Sequence, residues 1–349
     1  MMRLWVTLAC AQLAAASASR WKSQQFKSIV TFGDSYTDES RLNYFSEHNG
    51  TAPPPGWVDP VNNDTASGGY IWARYVADYA NVKLYNYAVS GAVCSNKVAP
   101  HWFSTINNNF PSVLEYEVPA YLADSKVINA NDSRPFLDIP PAETVYSIWI
   151  GTNDLGSDGF LRDSQIAGKT IPDYTDCVFS ALDQIYENGA RYFILQNLAP
   201  LQLAPLYATP ERHGVFNLKN GNSSTNVTEI SYRMWQIVTT ANAIYDYQTP
   251  FELLVQKRYP GAHFAVMDMY NILQDMYFNP EEYFEHPPNV TGFNNYCDDP
   301  NSPSCPRPSN PDSYMWFNPL HPSEKTDTHI AQRYIEVFKG ESKYATYWS

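Results

Sequence analysis

The sequence predicts an α/β protein built on a doubly wound, mostly parallel sheet. Short apolar runs of β-forming residues recur along the chain, and stretches with helical periodicity separate them. None of the runs alternates polar and apolar residues, which is typical of central strands covered on both faces. Regular alternation of strands and helices favours parallel pairing through right-handed crossovers. The five predicted strands are residues 29–32, 84–89, 145–150, 192–195 and 264–266.

Helical patterns lie between these runs and after them. Asp173 is the expected N-cap of the second helix, and Gly189 follows its end. Pro250 is expected to break the third helix, which is the longest. The four predicted helices are residues 71–79, 174–186, 228–258 and 324–338.

The expected domain organisation is a signal peptide at residues 1–18 and one domain at residues 19–349. Arg3 precedes an apolar stretch at residues 4–15, and small residues at 16–18 suit signal peptidase. The apolar stretch is too short for a membrane span, and no later stretch reaches ~18 consecutive apolar residues. No internal repeat, low-complexity tract or linker divides the rest of the 349-residue chain. We therefore expect a secreted, extracellular protein.

Glycosylation motifs and cysteines agree with secretion. Four cysteines remain once the signal peptide with Cys10 is removed, and they permit three pairings. Cys297 and Cys305 bracket a Pro-, Asp- and Ser-rich loop, which favours that disulfide and leaves Cys94 with Cys177 by subtraction. Four free thiols are not expected in an oxidising compartment. The N-glycosylation motifs are at Asn49, Asn63, Asn131, Asn222, Asn226 and Asn289.

Charge and composition limit the partners. The chain has 23 Lys and Arg against 36 Asp and Glu, a formal net charge of -13. An acidic surface repels phosphate backbones and anionic membranes, so we expect neither a nucleic-acid nor a membrane partner. Aromatic residues make up 15% of the chain, and they either fill the core or stack on sugar rings. Aromatic candidates near the strand ends are Tyr36, Tyr44, Trp57 and Trp102.

Residues suited to acyl transfer follow the predicted strands, where ligands bind in open α/β sheets. That reaction needs a nucleophile, a base and donors for the developing oxyanion. Ser35 is the candidate nucleophile and His321 the candidate base. The backbone N–H groups of Ser35 and Gly91 and the side-chain amide of Asn153 are the candidate donors. The four segments that carry these groups are residues 33–38, 90–92, 151–154 and 320–323.

These four segments resemble the four blocks of the GDSL, or SGNH, hydrolases, named for catalytic Ser, Gly, Asn and His. The similarity runs from Phe32 to the final helix. Residues 32–38, FGDSYTD, and 41–45, RLNYF, are most similar to secreted fungal acetylesterases of carbohydrate esterase family 16. The resemblance implies a three-layer flavodoxin-like fold with a central parallel five-stranded sheet in the order 2-1-3-4-5. It also implies the roles given above, with no metal and no organic cofactor.

One position departs from the family pattern. The family carries Asp three residues before the histidine, where this chain has Asn318. An Asn side chain can orient the imidazole through its oxygen, but it cannot supply the charge that stabilises an imidazolium. In a serine protease, Asp→Asn at the orienting position costs about 10⁴ in kcat through the wrong tautomer. Asp298, Asp299 or Asp312 on a nearby loop is the alternative partner of His321.

The expected function is therefore that of a secreted serine esterase, a carboxylic ester hydrolase that works through an acyl-enzyme. Its expected substrates are acetyl esters on plant cell-wall oligosaccharides, such as acetylated xylo- and manno-oligosaccharides, and we expect a monomer. A GDSL lipase or aromatic-acid esterase is the alternative. A carbohydrate-binding pseudo-esterase with little turnover is the second alternative, which Asn318 favours.

Overall fold

The computed structural model describes residues 17–22, 24–216, 225–295 and 308–349. Within these ranges, a six-stranded sheet forms the centre of the fold, with two small two-stranded sheets beside it. The strands are β1 (Ser28–Gly33), β2 (Lys83–Asn86), β3 (Trp102–Phe103), β4 (Asn108–Asn109), β5 (Thr144–Trp149), β6 (Tyr192–Gln196), β7 (His263–Met267), β8 (Asn289–Phe293), β9 (Tyr314–Trp316) and β10 (Ala345–Trp348).

The central sheet confirms the parallel topology and adds one strand. Its order is β10-β7-β6-β5-β1-β2, and the five parallel strands within it have the predicted order 2-1-3-4-5. The sixth strand, β10, was not predicted, and it pairs antiparallel with β7. This strand has only four residues at the chain end, and its backbone groups are satisfied by a long-range partner that no local pattern reveals.

Eight α-helices lie wholly within the described residues, beside the helical residues 17–22. Four of them correspond to the predicted helices and differ from these at their ends, and the other four were not predicted. Asp173 is not the N-cap of the second predicted helix: Thr170 caps it, and Asp173 accepts from the Thr170 N–H at 2.9 Å to complete a capping box. The expected break at Pro250 does not occur. The long α-helix ends at Pro250, and a π-helical turn at Phe251–Val255 continues it directly. The helices are α1 (Arg41–Glu47), α2 (Trp72–Ala80), α3 (Val118–Asp124), α4 (Thr152–Leu155), α5 (Ile171–Glu187), α6 (Val227–Pro250), α7 (Met269–Phe278) and α8 (Glu324–Phe338).

Helices cover the sheet on both faces and bury its central strands. Every residue of β1, β5, β6 and β7 is buried, which explains why their sequences do not alternate. Helix α2 packs against α8, and α5 packs against both α3 and α6. None of the described helices is long and apolar enough to cross a membrane.

A disulfide joins Cys94, beyond β2, to Cys177 on α5, with an S–S distance of 2.08 Å. Both cysteines are buried. The bond ties the chain segment that follows Gly91 to a helix packed on the sheet. Cys297 and Cys305, the favoured pair from the sequence, lie outside the described residues.

Candidate active site

Ser35 lies in the tight turn that follows β1. The backbone N–H groups of Thr37 and Asp38 both donate to the carbonyl oxygen of Asp34 at 2.9 Å, which closes the turn. A Cβ at Gly33 would collide with the carbonyl oxygen of Trp149 on the neighbouring strand, so only glycine fits at the end of β1. The turn therefore presents Ser35 at the carboxyl ends of the parallel strands.

His321 meets Ser35 from the other end of the chain. Its Nε2 lies 2.7 Å from Ser35 Oγ. The hydroxyl of Tyr36 donates to the carbonyl oxygen of Leu320 at 2.8 Å, and the Phe317 N–H donates to the carbonyl oxygen of His321 at 2.9 Å. These contacts fix the histidine loop over the Ser35 turn. The Ser35–His321 pair is the central feature of the site.

Asn318 occupies the position beside the other imidazole nitrogen. Its Oδ1 lies 2.8 Å from His321 Nδ1, and it also accepts the backbone N–H groups of Leu320 and His321 at 3.0 Å. Two backbone donors can only face the oxygen of the amide, so the orientation of Asn318 is fixed. Nδ1 must then carry a proton, which leaves the lone pair of Nε2 facing Ser35. Of the alternatives, Asp312 is exposed, and Asp298 and Asp299 lie outside the described residues.

Desolvation of its imidazole lowers the pKa of His321 to about 4. Asn318 supplies no negative charge to raise it again. The ring is therefore neutral at neutral and mildly acidic pH, the form in which an imidazole can accept a proton. The same environment makes the imidazolium costly, because its charge has no ionised partner on the Nδ1 side.

Three N–H groups are available for an oxyanion beside Ser35. Within the described residues, neither the Ser35 nor the Gly91 backbone N–H has a hydrogen-bond acceptor. Gly91 has a φ of +81°, and a Cβ there would collide with the Phe110 ring. Asn153, on the first turn of α4, donates one amide hydrogen to the carbonyl oxygen of Ala92 at 2.8 Å. Its second amide hydrogen is free to donate to substrate.

Three buried carboxyl groups accept backbone hydrogen bonds from the segments that carry the site. Burial raises the pKa of Asp34 to about 7 and that of Asp154 to about 8, and it raises the pKa of Glu117 well above its ordinary value. Asp34 accepts the Tyr36 N–H, Asp154 accepts the Cys94 N–H, and Glu117 accepts the Gly33 N–H. Asp34 and Asp154 belong to the motif segments. No sequence signal could have identified Glu117, because only folding brings it to Gly33.

The four aromatic residues considered for sugar stacking differ in how exposed their side chains are. Tyr36 is buried and bonded to the Leu320 carbonyl. Tyr44 stacks on His48 and contacts the half-buried Trp57 edge to face. Trp102 is 58% exposed on β3.

Five of the six N-glycosylation motifs lie in the described residues. Asn49, Asn63, Asn131 and Asn226 are exposed. Asn289 is half-buried, and its side-chain oxygen accepts the Gly292 N–H at 2.7 Å. Asn222 lies outside the described residues. Across those residues, no group of three or more His, Cys, Asp or Glu side chains could hold a metal ion.

The chain is similar to several known proteins. A family model described as GDSL-like lipase/acylhydrolase matches residues 29–334. An acetylesterase of Hypocrea jecorina is 40% identical over 325 residues, which cover 93% of this chain and 92% of that protein. An acetylesterase of Thermothelomyces thermophilus is 23% identical over 97% of this chain and 99% of its own. A solved carbohydrate esterase is 14% identical, with a TM-score of 0.34, over 91% of this chain and 69% of its own.

The topology of the sheet and the family match define a hydrolase with the three-layer α/β fold of the GDSL, or SGNH, class. The chain belongs to the GDSL-like lipase/acylhydrolase family, whose model matches most of its length. It is a carboxylic ester hydrolase.

Proposed function

We propose that this chain is a secreted acetylesterase that removes acetyl groups from plant cell-wall oligosaccharides by a Ser–His acyl-enzyme mechanism. The observation that carries the mechanism is the chain of contacts from Asn318 Oδ1 to His321 Nδ1 at 2.8 Å and from His321 Nε2 to Ser35 Oγ at 2.7 Å. It is the arrangement that a serine nucleophile and its general base require.

In the first half-reaction, Ser35 Oγ attacks the ester carbonyl while its proton passes to His321 Nε2. The negative charge on the carbonyl oxygen is held by the N–H groups of Ser35, Gly91 and Asn153. Collapse of this intermediate breaks the bond to the sugar oxygen, which takes the proton from His321 and leaves as the free hydroxyl. Water then repeats the sequence against the acetyl-enzyme and releases acetic acid and Ser35.

Three observations support the substrate class and the route of export. The relative from Hypocrea jecorina, 40% identical over nearly the whole chain, is an acetylesterase. Trp102 offers an exposed indole face of the kind that stacks on sugar rings. The sequence at residues 1–18, the N-glycosylation motifs and the disulfide between Cys94 and Cys177 fit a secretory route.

A panel of substrates tests this proposal. Purified protein is offered acetylated xylo- and manno-oligosaccharides, a small aryl acetate, aryl butyrate and longer acyl esters, and feruloyl esters. We expect the highest kcat/KM on acetylated oligosaccharides. A preference for long acyl chains or aromatic acids would replace the proposal with the lipase or aromatic-acid esterase. Binding of the oligosaccharides without acid release would replace it with the pseudo-esterase.

The nucleophile is tested on the same preparation. Ser35→Ala should abolish ester turnover while the fold is retained, and a serine-directed phosphonate should label Ser35 alone in the unaltered protein. Ser157→Ala is the matched control, because this half-buried serine is close in sequence to Asn153 and has no assigned part in the reaction. Labelling at another serine, or turnover by Ser35→Ala, would remove the proposed mechanism.

A further inference from the structure

A second histidine contacts the loop that carries Gly91. His101 Nδ1 lies 2.7 Å from the carbonyl oxygen of Gly91. A carbonyl oxygen only accepts, so Nδ1 carries the proton and donates. The His101 side chain is 19% exposed, and its ring lies 4.5 Å from that of Phe110, which also fills the space beside the Gly91 Cα. The hydrogen bond between His101 and Gly91 is therefore largely shielded from solvent.

The backbone around His101 makes this contact rigid. The Phe110 N–H donates to the His101 carbonyl oxygen at 2.8 Å, and β3 and β4 pair within the hairpin that these two residues close. Asn96 accepts the His101 N–H at 3.1 Å and donates to the Phe110 carbonyl oxygen at 2.8 Å. The base of the hairpin is thus closed by three hydrogen bonds. These bonds fix the backbone of His101, from which its side chain reaches the Gly91 carbonyl oxygen.

His101 also reaches the segment that follows the other candidate donor. Its Nε2 lies 3.7 Å from the carboxylate of Asp158, five residues after Asn153. Asn153 in turn donates to the carbonyl oxygen of Ala92, the residue after Gly91. The imidazole therefore lies between the Gly91 loop and the segment beyond α4, and within the described residues only its Nδ1 makes a hydrogen bond.

We propose that His101 is a positioning residue of the esterase reaction, which holds the Gly91 loop so that the Gly91 N–H points at the oxyanion. This inference rests on the proposed function, because it needs Gly91 as an oxyanion donor. The Gly91 backbone is at a φ of +81°, where glycine has wide conformational freedom. The His101 bond to its carbonyl oxygen removes that freedom on the side after Gly91. The Ser90 N–H, bonded to Asp38 at 2.8 Å, restrains the side before it.

Asparagine and glutamine variants separate the two nitrogens of His101. In His101→Asn the amide nitrogen lies near the place of Nδ1 and can still donate to Gly91. In His101→Gln it lies near the place of Nε2 and can reach only toward Asp158. Removing an oxyanion donor outright typically costs ~10²–10³ in kcat. We expect His101→Gln and His101→Ala to lose about 10- to 100-fold in kcat on a small aryl acetate, with KM little changed, and His101→Asn to recover most of that loss.

His48→Ala is the matched control, because His48 Nδ1 also bonds a backbone carbonyl, that of Tyr44, on the exposed end of α1. It should keep full kcat. Thermal unfolding of all variants reports whether each is folded. Equal kcat in His101→Ala and the unaltered protein would overturn the inference, and so would an equal loss in the Asn and Gln variants or a change in KM alone. If Ser35→Ala retains turnover, the proposed function fails first; if only the His101 pattern is absent, the inference fails alone.

Discussion

The side-chain oxygen of Asn318 lies 2.8 Å from Nδ1 of His321 and is held there by two backbone N–H groups at 3.0 Å. An uncharged residue at this position can favour the wrong imidazole tautomer and supplies no negative charge. The arrangement removes the first of these two problems. An unrestrained amide could turn its NH₂ toward the imidazole and impose the wrong tautomer, whereas here the backbone donors require the oxygen to face it. The missing negative charge remains, so nothing on the Nδ1 side offsets the desolvation that lowers the pKa of His321.

Restoring the charge should make a stronger base. In Asn318→Asp the carboxylate can accept the same three N–H groups, and its charge should raise the pKa of His321 from about 4. We expect kcat at pH 7 to rise by one to a few orders of magnitude, since each tenfold corresponds to about 1.4 kcal/mol of barrier. The acid limb of the kcat/KM profile should move from about pH 4 toward neutrality. Steady-state kinetics on an aryl acetate between pH 3 and pH 9 measure both effects.

Asn318→Ala completes this test. It removes the acceptor of Nδ1–H and leaves the tautomer undetermined, so kcat should fall. If kcat is unchanged in both the Ala and the Asp variant, Asn318 has no part in catalysis and another group orients the ring.

The side-chain amide of Asn153 should act on the transition state alone. Its free N–H is expected to bond the oxyanion more strongly than the ground-state carbonyl, so Asn153→Ala should lower kcat by ~10²–10³ with little change in KM. Asn153→Asp, which keeps the size of the side chain but cannot donate, should lose at least as much. A rise in KM at constant kcat would instead assign Asn153 to substrate binding.

Trp102 should bind the sugar part of the substrate. Because it is 58% exposed on β3, Trp102→Ala should leave the fold intact and raise KM for acetylated oligosaccharides about three- to tenfold, the scale of one aromatic stacking contact. KM for a small aryl acetate should not change. Trp57→Ala is the comparison, since Trp57 lies under the Arg41 guanidinium at 5.1 Å and should lose stability instead. Equal effects of Trp102→Ala on both substrates would reject the sugar contact.

The parallel sheet was predictable because each strand carries its own signal. Residues buried on both faces are mostly apolar, so β1, β5, β6 and β7 are visible in the sequence within one or two residues of their ends. The antiparallel strand β10 and the two-residue strands β3 and β4 are not, because long-range pairing and not composition makes them strands.

The positions of the candidate site residues follow from the sheet topology. Ser35, Gly91, Asn153 and His321 follow strands or precede a helix, so topology alone brings them to one edge of the sheet. The side chains that hold these segments in place cannot be predicted in the same way. Glu117 reaches Gly33 across 84 residues, and no local pattern marks it as part of the site.

The disulfide should stabilise the fold substantially. Cys94 and Cys177 are 83 residues apart, and closing a loop of this length removes much entropy from the unfolded chain. We expect Cys94→Ala/Cys177→Ala to lower the free energy of unfolding by about 2–5 kcal/mol. Denaturant titration measures the loss, and reduced unaltered protein should match the double variant. An unchanged midpoint would mean that the bond does not constrain the unfolded state.

The protein should be most stable in mildly acidic solution, because of its buried carboxyl groups. The pKa of Asp34 is raised to about 7 and that of Asp154 to about 8 in the folded protein, whereas aspartates in unfolded chains titrate near 3.9. Between about pH 4 and pH 8 the folded state therefore holds more protons than the unfolded state. These two groups therefore make the free energy of unfolding decrease as pH rises through that window.

His321 acts in the opposite direction but over a narrower window. Its pKa is lowered to about 4, against about 6.5 in unfolded chains, so its contribution is lost as pH falls from about 6.5 to 4. Two raised carboxyls outweigh this single imidazole, and the unfolding temperature should be highest near pH 4 to 5 and decrease toward pH 8. Thermal unfolding at constant ionic strength measures the slope. Asp154→Asn keeps an oxygen for the Cys94 N–H and should reduce the decrease in unfolding temperature between pH 6 and pH 8. The control Asp64→Asn, at an exposed residue, should leave that decrease unchanged. Equal slopes in all three proteins would show that Asp154 is not protonated in the folded state.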